Sequence, residues 1–288
     1  MSFFSIIIPT FNVSDTILNA LKSIKSQRFK NIEVIIMDGG SSDGTGDLAT
    51  RFLEESRLQY KVISEPDKGI YDAMNKGINV AKGTWLYFMG ADDCLASDSV
   101  LTTISEYVTI RACDLVHGNV IGEHSGQRYT ALNLLDILSK GIHHQSIFYG
   151  SHLFKQQGKY ELKFQIASDY HFTIKIFSNP AFKTEYINLI IAHFGENGLS
   201  SKVYDYCFYS YHYRFLSVVG AQHKIDNPTA LLHSSIYACL YLAKAKSNLV
   251  FAWKNLMFYL AEPASGDMRY RIKTFFNMLF WTLNLHRS

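Results

Sequence analysis

The sequence is short of charge: Asp, Glu, Lys and Arg make up 18% of its 288 residues, against 48% hydrophobic ones. So apolar a composition points to a surface that faces a partner or a membrane. The 28 basic and 25 acidic residues leave a net charge of +3, too mild to support nucleic-acid binding by itself. There are only four cysteines, Cys94, Cys113, Cys207 and Cys239, and no CxxC pair. That argues against a disulfide framework, suggests no thiolate metal site and fits a reducing compartment. The longest near-apolar runs, around 231–243 and 275–285, are broken or shorter than about 18 residues, so no membrane-spanning helix is expected. No GxGxxG follows the first strand-like segment and no GxxxxGK[ST] occurs, which removes the main support for dinucleotide and P-loop readings. The opening MSFFSIIIPTFN runs straight into a strand without a basic leader or cleavage site, so the expectation is a chain that is not exported.

What is present is alternation. Residues 5–9 and 32–37 are short apolar runs, each followed by a helical pattern: Ile17, Leu18, Leu21 and Ile24 after the first, Leu48, Ala49, Phe52 and Leu53 after the second. Ser14 or Asp15 is the expected cap of the first helix. A third strand at 60–64 leads to EPDKGIYDAMNKGINVAKGTWLYFMGADD (65–93), which reads as loop, helix, strand and two adjacent carboxylates. Four βα units in about 90 residues require crossover connections, hence an α/β fold with a mostly parallel sheet flanked by helices. Later segments predict a helix over 99–107, a strand over 114–120 and a turn at 122–126. Further on they predict a strand within GIHHQSIFYG (141–150), a short helix opened by ASDYHF (167–172) and a strand over 184–193.

Candidate functional residues gather where strands end. In an open α/β sheet, ligands bind beyond the carboxyl ends of the strands. Asp92 and Asp93 sit there, and a divalent cation bound to phosphate is the commonest reason to keep two neighbouring carboxylates ionised. The plainer alternative is a helix start, with Asp93, Ser97 or Asp98 as cap. The loop DGGSSDGT after the second strand has the glycines and small hydroxyls of backbone that approaches a ligand, although turns use the same residues. A haloacid-dehalogenase-like DxD is disfavoured there because Gly40 holds the second acidic position. Asp169 is either a chemical base or a first-turn carboxylate favoured by the helix dipole, with Ser168 as cap. Strand alternation would turn one of His143 and His144 into a sheet face and the other outward.

Taken in order over about residues 3–95, IIIPTFN, MDGGSSDGT, EPDKGIYDAMNKG and GADD resemble the nucleotide-binding half of the inverting glycosyltransferases of family 2, which have the GT-A fold. HHQ and ASDY look like later segments of the bacterial members that build surface polysaccharides. The resemblance implies a nucleotide-sugar site in which Pro9 and Thr10 lie near the base and Asp38 accepts from the uracil of a UDP-sugar. It places Asp67 and Lys68 beside the nucleotide or sugar, and puts Asp92 and Asp93 in the metal-binding region, holding Mn²⁺ or Mg²⁺. His144 and Gln145 fall near the acceptor sugar, while His193 is a late histidine that reaches the metal or diphosphate. Asp169 aligns with the base that takes the acceptor's proton. Gly90 stands two before Asp92 where many relatives carry Asp, so which of Asp92 and Asp93 binds the metal stays open.

The implied activity is transfer of a sugar to a polyprenyl-diphosphate-linked acceptor in capsule, O-antigen or exopolysaccharide assembly, with inversion. The implied place is the cytoplasmic face of a bacterial inner membrane. A rival from another class is a non-catalytic, membrane-associated nucleotide-sugar binding protein. On this reading residues 1–208 form the GT-A domain, divided into 1–95 for the nucleotide and 96–208 for the acceptor, and 209–288 a helical extension. Its last 43 residues carry six Lys or Arg against two acids, with Ile272, Phe275, Phe276, Leu279 and Leu283 at helical spacing. Such a face suits an anionic membrane surface, the catalytic domain or a second subunit of a homo-oligomer.

Overall fold

The computed structural model describes residues 2–196 and Gly198, together with Asp205, Cys207, Phe208, Met257, Ile272 and Phe276. The chain divides into two compact units, Met1–Val203 and Tyr204–Ser288. The architecture below is that of the first; the helices expected over 209–288 lie outside the described residues.

Three parallel strands, β1 (Phe4–Thr10), β2 (Ile32–Asp38) and β3 (Gln59–Ser64), alternate with helices α1 (Ile17–Lys25), α2 (Thr45–Ser56) and α3 (Ile70–Val80). After α3 come β4 (Trp85–Phe88), β5 (Cys94–Leu95), α4 (Val100–Arg111), β6 (Leu115–Gly122), β7 (Arg128–Tyr129) and α5 (Leu134–Lys140). A 3-10 turn, His144–Ser146, leads into β8 (Ile147–Gly150), followed by α6 (Ser151–Gln157), α7 (Ser168–Phe177) and β9 (Thr184–Phe194). They build one nine-stranded sheet in the order β3-β2-β1-β4-β8-β6-β9-β5, with β7 on β6. The pairings make β1 to β4, β6 and β9 point one way and β5, β7 and β8 the other. The sheet is therefore mostly parallel, as the βα alternation requires.

Strand alternation explains the two-sided core. Phe4, Ile6 and Ile8 of β1 join Ile17, Leu21 and Ile24 of α1 on one face. Ile7 turns to the other, into the cluster that also holds Met74 of α3, Tyr149 of β8 and Phe172 of α7. Burying both faces leaves the carboxyl edge as the place where polar side chains collect. Register does the rest: Thr10 pairs with Asp38, and Asp38 with Ser64, so three strand ends line up side by side.

Several local expectations are corrected. The first helix begins after Thr16 with no side-chain cap, because Ser14 and Asp15 precede it by a residue or more and the Ser14 N–H donates instead to Asp43 at 2.9 Å. The paired histidines do not open a strand. His143 is extended, His144 begins the 3-10 turn, and β8 starts only at Ile147. At α7 the N-cap position is Ala167, and the Ser168 hydroxyl is buried without a partner, so Ser168 is not the cap. Short α5 and α6 are absent from the periodicity. Asn133 makes the first of them possible by accepting the Asp136 N–H at 3.0 Å. Among the described residues no helix is long and apolar enough to cross a membrane.

Candidate active site

At the aligned strand ends, Asp38 is nearly fully buried and surrounded by donors. Its Oδ1 accepts from Ser41 Oγ at 2.5 Å and Thr10 Oγ1 at 3.2 Å, its Oδ2 from Ser64 Oγ at 2.6 Å and the Ser41 N–H at 3.1 Å. Burial pushes its pKa up, but the hydrogen bonds from Ser41, Ser64 and Thr10 outweigh that and hold it below the usual range. The carboxylate therefore stays ionised and fixed. Asp43 shapes the same loop, accepting from Thr45 Oγ1 at 2.6 Å and the Thr45 N–H at 3.0 Å. Asp67 comes close to this edge because Gly39 has no side chain: a β-carbon there would lie 2.6 Å from Asp67 Oδ2. Beside both, Phe11 is 63% exposed, a flat ring at the rim of a polar site. A cavity of about 280 Å³ opens here, lined by Asp38, Ser41, Ser64 and Gly46 among others.

The two neighbouring carboxylates have different tasks. Asp93 is 1% exposed and faces the backbone: Oδ2 accepts the Gly90 N–H at 2.6 Å and Oδ1 the Gly195 N–H at 3.1 Å. It thereby ties the end of β4 to the end of β9. Burial, with some repulsion from Asp92, raises its pKa, against the pull of His144 and the two N–H groups. Asp92 instead lines a cavity of about 510 Å³. Glycines hem it in on both sides: a β-carbon on Gly90 would stand 2.8 Å from Asp92 Oδ1, and one on Gly195 would overlap Asp92 Oδ2.

Asp169 lines the same cavity from the first turn of α7. Its Oδ1 accepts from Tyr71 Oη and from the Tyr170 N–H, both at 2.7 Å, and its Oδ2 lies 3.2 Å from His144 Nδ1. Burial alone would raise the Asp169 pKa; His144, Tyr71 and the Tyr170 N–H reverse this and lower it. Burial would likewise discharge His144, but Asp169 first, then Asp93 and Asp92, raise its pKa. The other histidine of the pair is set apart. His143 packs against the rings of Tyr129 and Phe194 at 4.6 and 4.5 Å, and burial brings its pKa down to about 4. One histidine of the pair is thus biased toward its charged form by Asp169, while burial biases its neighbour toward the neutral form.

Of the sequence candidates, Asp92, His144, Gln145 and Asp169 converge on one cavity, and Thr10 and Asp38 on the strand-end site. Pro9 pairs with Met37 one position before that edge. Lys68 donates its N–H to Asp72 Oδ2 at 3.0 Å, while the neighbouring Lys76, not Lys68, holds the ion pairs with Glu65 and Asp72 at 3.0 and 3.6 Å. His193 lies opposite Cys94 in the β5–β9 pair, and the cavity is lined by the following Phe194, Gly195 and Glu196. Sequence reasoning missed Tyr71, Phe11 and Gly195. A tyrosine beside the apolar stripe of α3 was the available signal for the first; the others depend on contacts between distant segments.

The fold is the GT-A class of α/β architecture. The chain belongs to glycosyl transferase family 2, whose model matches residues 5–185. It is similar to the PGL/p-HBAD biosynthesis glycosyltransferase of Mycobacterium bovis (strain BCG / Pasteur 1173P2), 38% identical over 206 residues that cover 70% of this chain and 80% of that protein. Among solved structures, it resembles Staphylococcus aureus TarS 1-349 in complex with UDP-GlcNAc, with a TM-score of 0.71 and 17% identity over 91% of this chain and 82% of that one. It also resembles the mannosyltransferase PcManGT of Pyrobaculum calidifontis in complex with GDP-Man and Mn²⁺, with a TM-score of 0.57 and 17% identity over 97% and 83%. The protein is a glycosyltransferase.

Proposed function

We propose that the chain is an inverting, metal-dependent glycosyltransferase that moves one sugar from a UDP-sugar to a hydroxyl of a lipid-linked saccharide, with Asp169 as base. The observation that carries this is the position of Asp169. It is an ionised carboxylate on the wall of a 510 Å³ cavity, fixed through both oxygens and sharing that cavity with Asp92. Uridine specificity is supported by the exposed Phe11 ring beside Asp38, which can stack a base; Asp38 takes an imide N–H when one of its four donors, from Ser41, Thr10 and Ser64, gives way. The lipid-linked acceptor rests on the segments HHQ and ASDY and on the basic, aromatic C-terminal stretch, which suits an anionic membrane face in the cytoplasm.

The residues fit a divalent cation. Among the described residues no three His, Cys, Asp or Glu side chains gather as a metal group, so these residues offer no complete cage. One carboxylate facing a cavity is nevertheless the usual provision for Mg²⁺ or Mn²⁺ when substrate phosphates complete the shell. Asp92 is that carboxylate, with Asp93 fixing the loop behind it. When bound, the cation would stabilise the charge building on the departing diphosphate as a Lewis acid.

The chain's own residues do the remaining work. Tyr71 and His144 hold the Asp169 carboxylate toward the cavity and keep it ionised. The acceptor oxygen attacks the anomeric carbon opposite the departing diphosphate. The new C–O bond forms, the old one breaks, the nucleoside diphosphate keeps the electron pair and Asp169 takes the hydroxyl proton. A carboxylate held at low pKa is a weak base, so this proton moves late, once the attacking oxygen has become acidic.

The test is turnover and binding of UDP-, GDP- and dTDP-sugars with Mn²⁺ by the full chain and by Asp169→Asn. The variant should keep its UDP affinity and lose turnover by at least about 100-fold. Near-normal transfer would remove Asp169 as base. UDP binding without turnover of any donor by the unaltered chain would favour a non-catalytic binder.

A further inference from the structure

A second cavity, of about 430 Å³, adjoins the first and shares Tyr129, Ile142 and His143 with it. Its volume falls in the range of small-molecule sites, roughly 300–1,000 Å³. Nothing in the transfer step uses it. We propose that this cavity is an acceptor subsite for the sugar unit next to the one that reacts, recognised as a neutral polyol with its face against the Tyr129–His143 wall.

The lining gives the ligand's chemistry. Thr130 Oγ1 donates to Asn119 Oδ1 at 2.5 Å, and Ser146 Oγ donates to the His143 carbonyl at 2.6 Å. Thr130 and Ser146 are both lining residues, and with their protons committed their hydroxyls have only lone pairs to offer. A ligand that satisfies them must bring hydrogen-bond donors, which the hydroxyls of a polyol supply. Asn119 is itself fixed, accepting from Tyr186 Oη at 3.1 Å and donating to the Leu189 carbonyl at 3.1 Å, so Thr130 does not readily reorient. Gln127 adds a carboxamide, which both donates and accepts. Among the described lining residues the one cation is Arg128, which is exposed and has its guanidinium bonded to Asn188 Oδ1 at 2.5 Å. An anionic ligand would want that charge at the floor, whereas Gly118 and Ala131 line the cavity without any charge.

The shared wall fixes the connection between subsites. Tyr129, His143 and Phe194 form a cluster of tilted and edge-on rings, and because Tyr129 and His143 line both cavities this cluster stands at their junction. Aromatic faces pack against the C–H faces of sugar rings, and a neutral imidazole adds to such a surface without attracting anions. An acceptor whose terminal sugar reaches Asp169 would thread its next unit past this ring cluster.

This inference rests on the glycosyltransferase reading above, and its test separates the two. Methyl glycosides of common hexoses and deoxyhexoses, and the corresponding methyl disaccharides, are titrated into the full chain saturated with UDP and followed by saturation-transfer NMR. At least one disaccharide should bind roughly tenfold tighter than either of its monosaccharides. Thr130→Val and Gln127→Ala should each erase most of that gain, with melting temperature reporting that they fold; Gln127 is exposed, so that variant has little fold to lose. If no disaccharide gains over its monosaccharides while UDP binds, the subsite is overturned and the transferase reading stands. The same holds if the gain survives both substitutions. If the unaltered chain binds neither UDP nor any nucleotide-sugar, both fall together.

Discussion

Tyr71 Oη lies 2.7 Å from Asp169 Oδ1, a contact between residues 98 apart in sequence that joins the first turn of α3 to the first turn of α7. The same hydroxyl is 2.5 Å from the Ile166 carbonyl, so its one proton is shared between the carboxylate and the backbone that precedes it. Tyr71 is thus a positioning residue for the proposed base. Removing a hydrogen bond to a charged group costs about 1.5–3 kcal/mol. Tyr71→Phe should therefore lower kcat by roughly 10- to 100-fold while UDP affinity holds. Because Tyr71 also lowers the Asp169 pKa, the acid limb of the kcat–pH profile should move to higher pH; an unshifted limb would leave Tyr71 a packing residue only.

Asp92 and Asp93 should separate by what they break. Asp92 faces the cavity, so Asp92→Asn should abolish the Mn²⁺ dependence of UDP binding and leave the urea midpoint near that of the unaltered protein. Asp93 accepts two N–H groups through its two oxygens. In Asp93→Asn one of those N–H groups meets an NH₂, which leaves a buried donor without an acceptor and costs about 1–3 kcal/mol. Equal loss of stability in both variants would contradict this division.

Deleting residues after Pro263 removes Arg269, Arg271, Lys273 and Arg287 together with the aromatic stripe. If the tail holds the protein on a membrane, the shortened chain should stay soluble in the presence of anionic vesicles that sediment the full chain. Unchanged sedimentation would refute the membrane reading.

The first half of the fold was legible because each βα unit carries its own signal. The apolar run of β1, the stripe of α1 and the polar strand end need no distant partner to be read. The second half was less legible for a physical reason. At 141–150, alternation suggested a strand from the first histidine, but His144–Ser146 is a 3-10 turn, and the contact of His144 with Asp169, far along the chain, is one that local periodicity does not encode. The division of labour at 92–93 was equally hidden. Adjacent carboxylates look alike in a sequence, and only the approach of Gly195 from β9 gives one of them a backbone partner. Asp169 was legible as a candidate, but the tyrosine that holds it was not.

Gly39 tests the nucleotide side. A β-carbon there would meet Asp67 Oδ2 at 2.6 Å, its carboxyl carbon at 3.2 Å and the Phe11 ring at 3.4 Å. Asp67 cannot retreat freely because its Oδ1 accepts the Gly69 N–H at 2.8 Å at the start of α3. Overpacking of this kind costs about 1–3 kcal/mol. Gly39→Ala should therefore weaken UDP binding by roughly tenfold. Isothermal titration reads this directly, and an unchanged Kd would mean that Asp67 and Phe11 lie away from the nucleotide.

The His144–Asp169 pair predicts the pH dependence of stability in the metal-free protein. Asp169 has a folded pKa below its ordinary 3.8, so its contribution is present above 3.8 and is lost as the pH falls through the lowered value. His144 has a folded pKa above 6.5, so its contribution is complete below 6.5 and is lost as the pH rises through the raised value. Three other histidines act in the opposite sense. His117, His143 and His171 are brought down to about 4, chiefly by burial, and favour the fold above 6.5, losing that advantage as the pH falls toward 4. The unaltered protein should then lose stability on both sides of 6.5. His144→Gln removes the alkaline limb, because glutamine can still hydrogen-bond Asp169 but does not titrate, and it also reduces Asp169's share of the acid limb, because the charge that helps lower the Asp169 pKa is gone. Melting temperature measured against pH should show the variant least stable relative to the unaltered protein below 6.5, with the gap closing as the pH rises. A gap that stays constant with pH would mean that His144 is not charged in the folded protein.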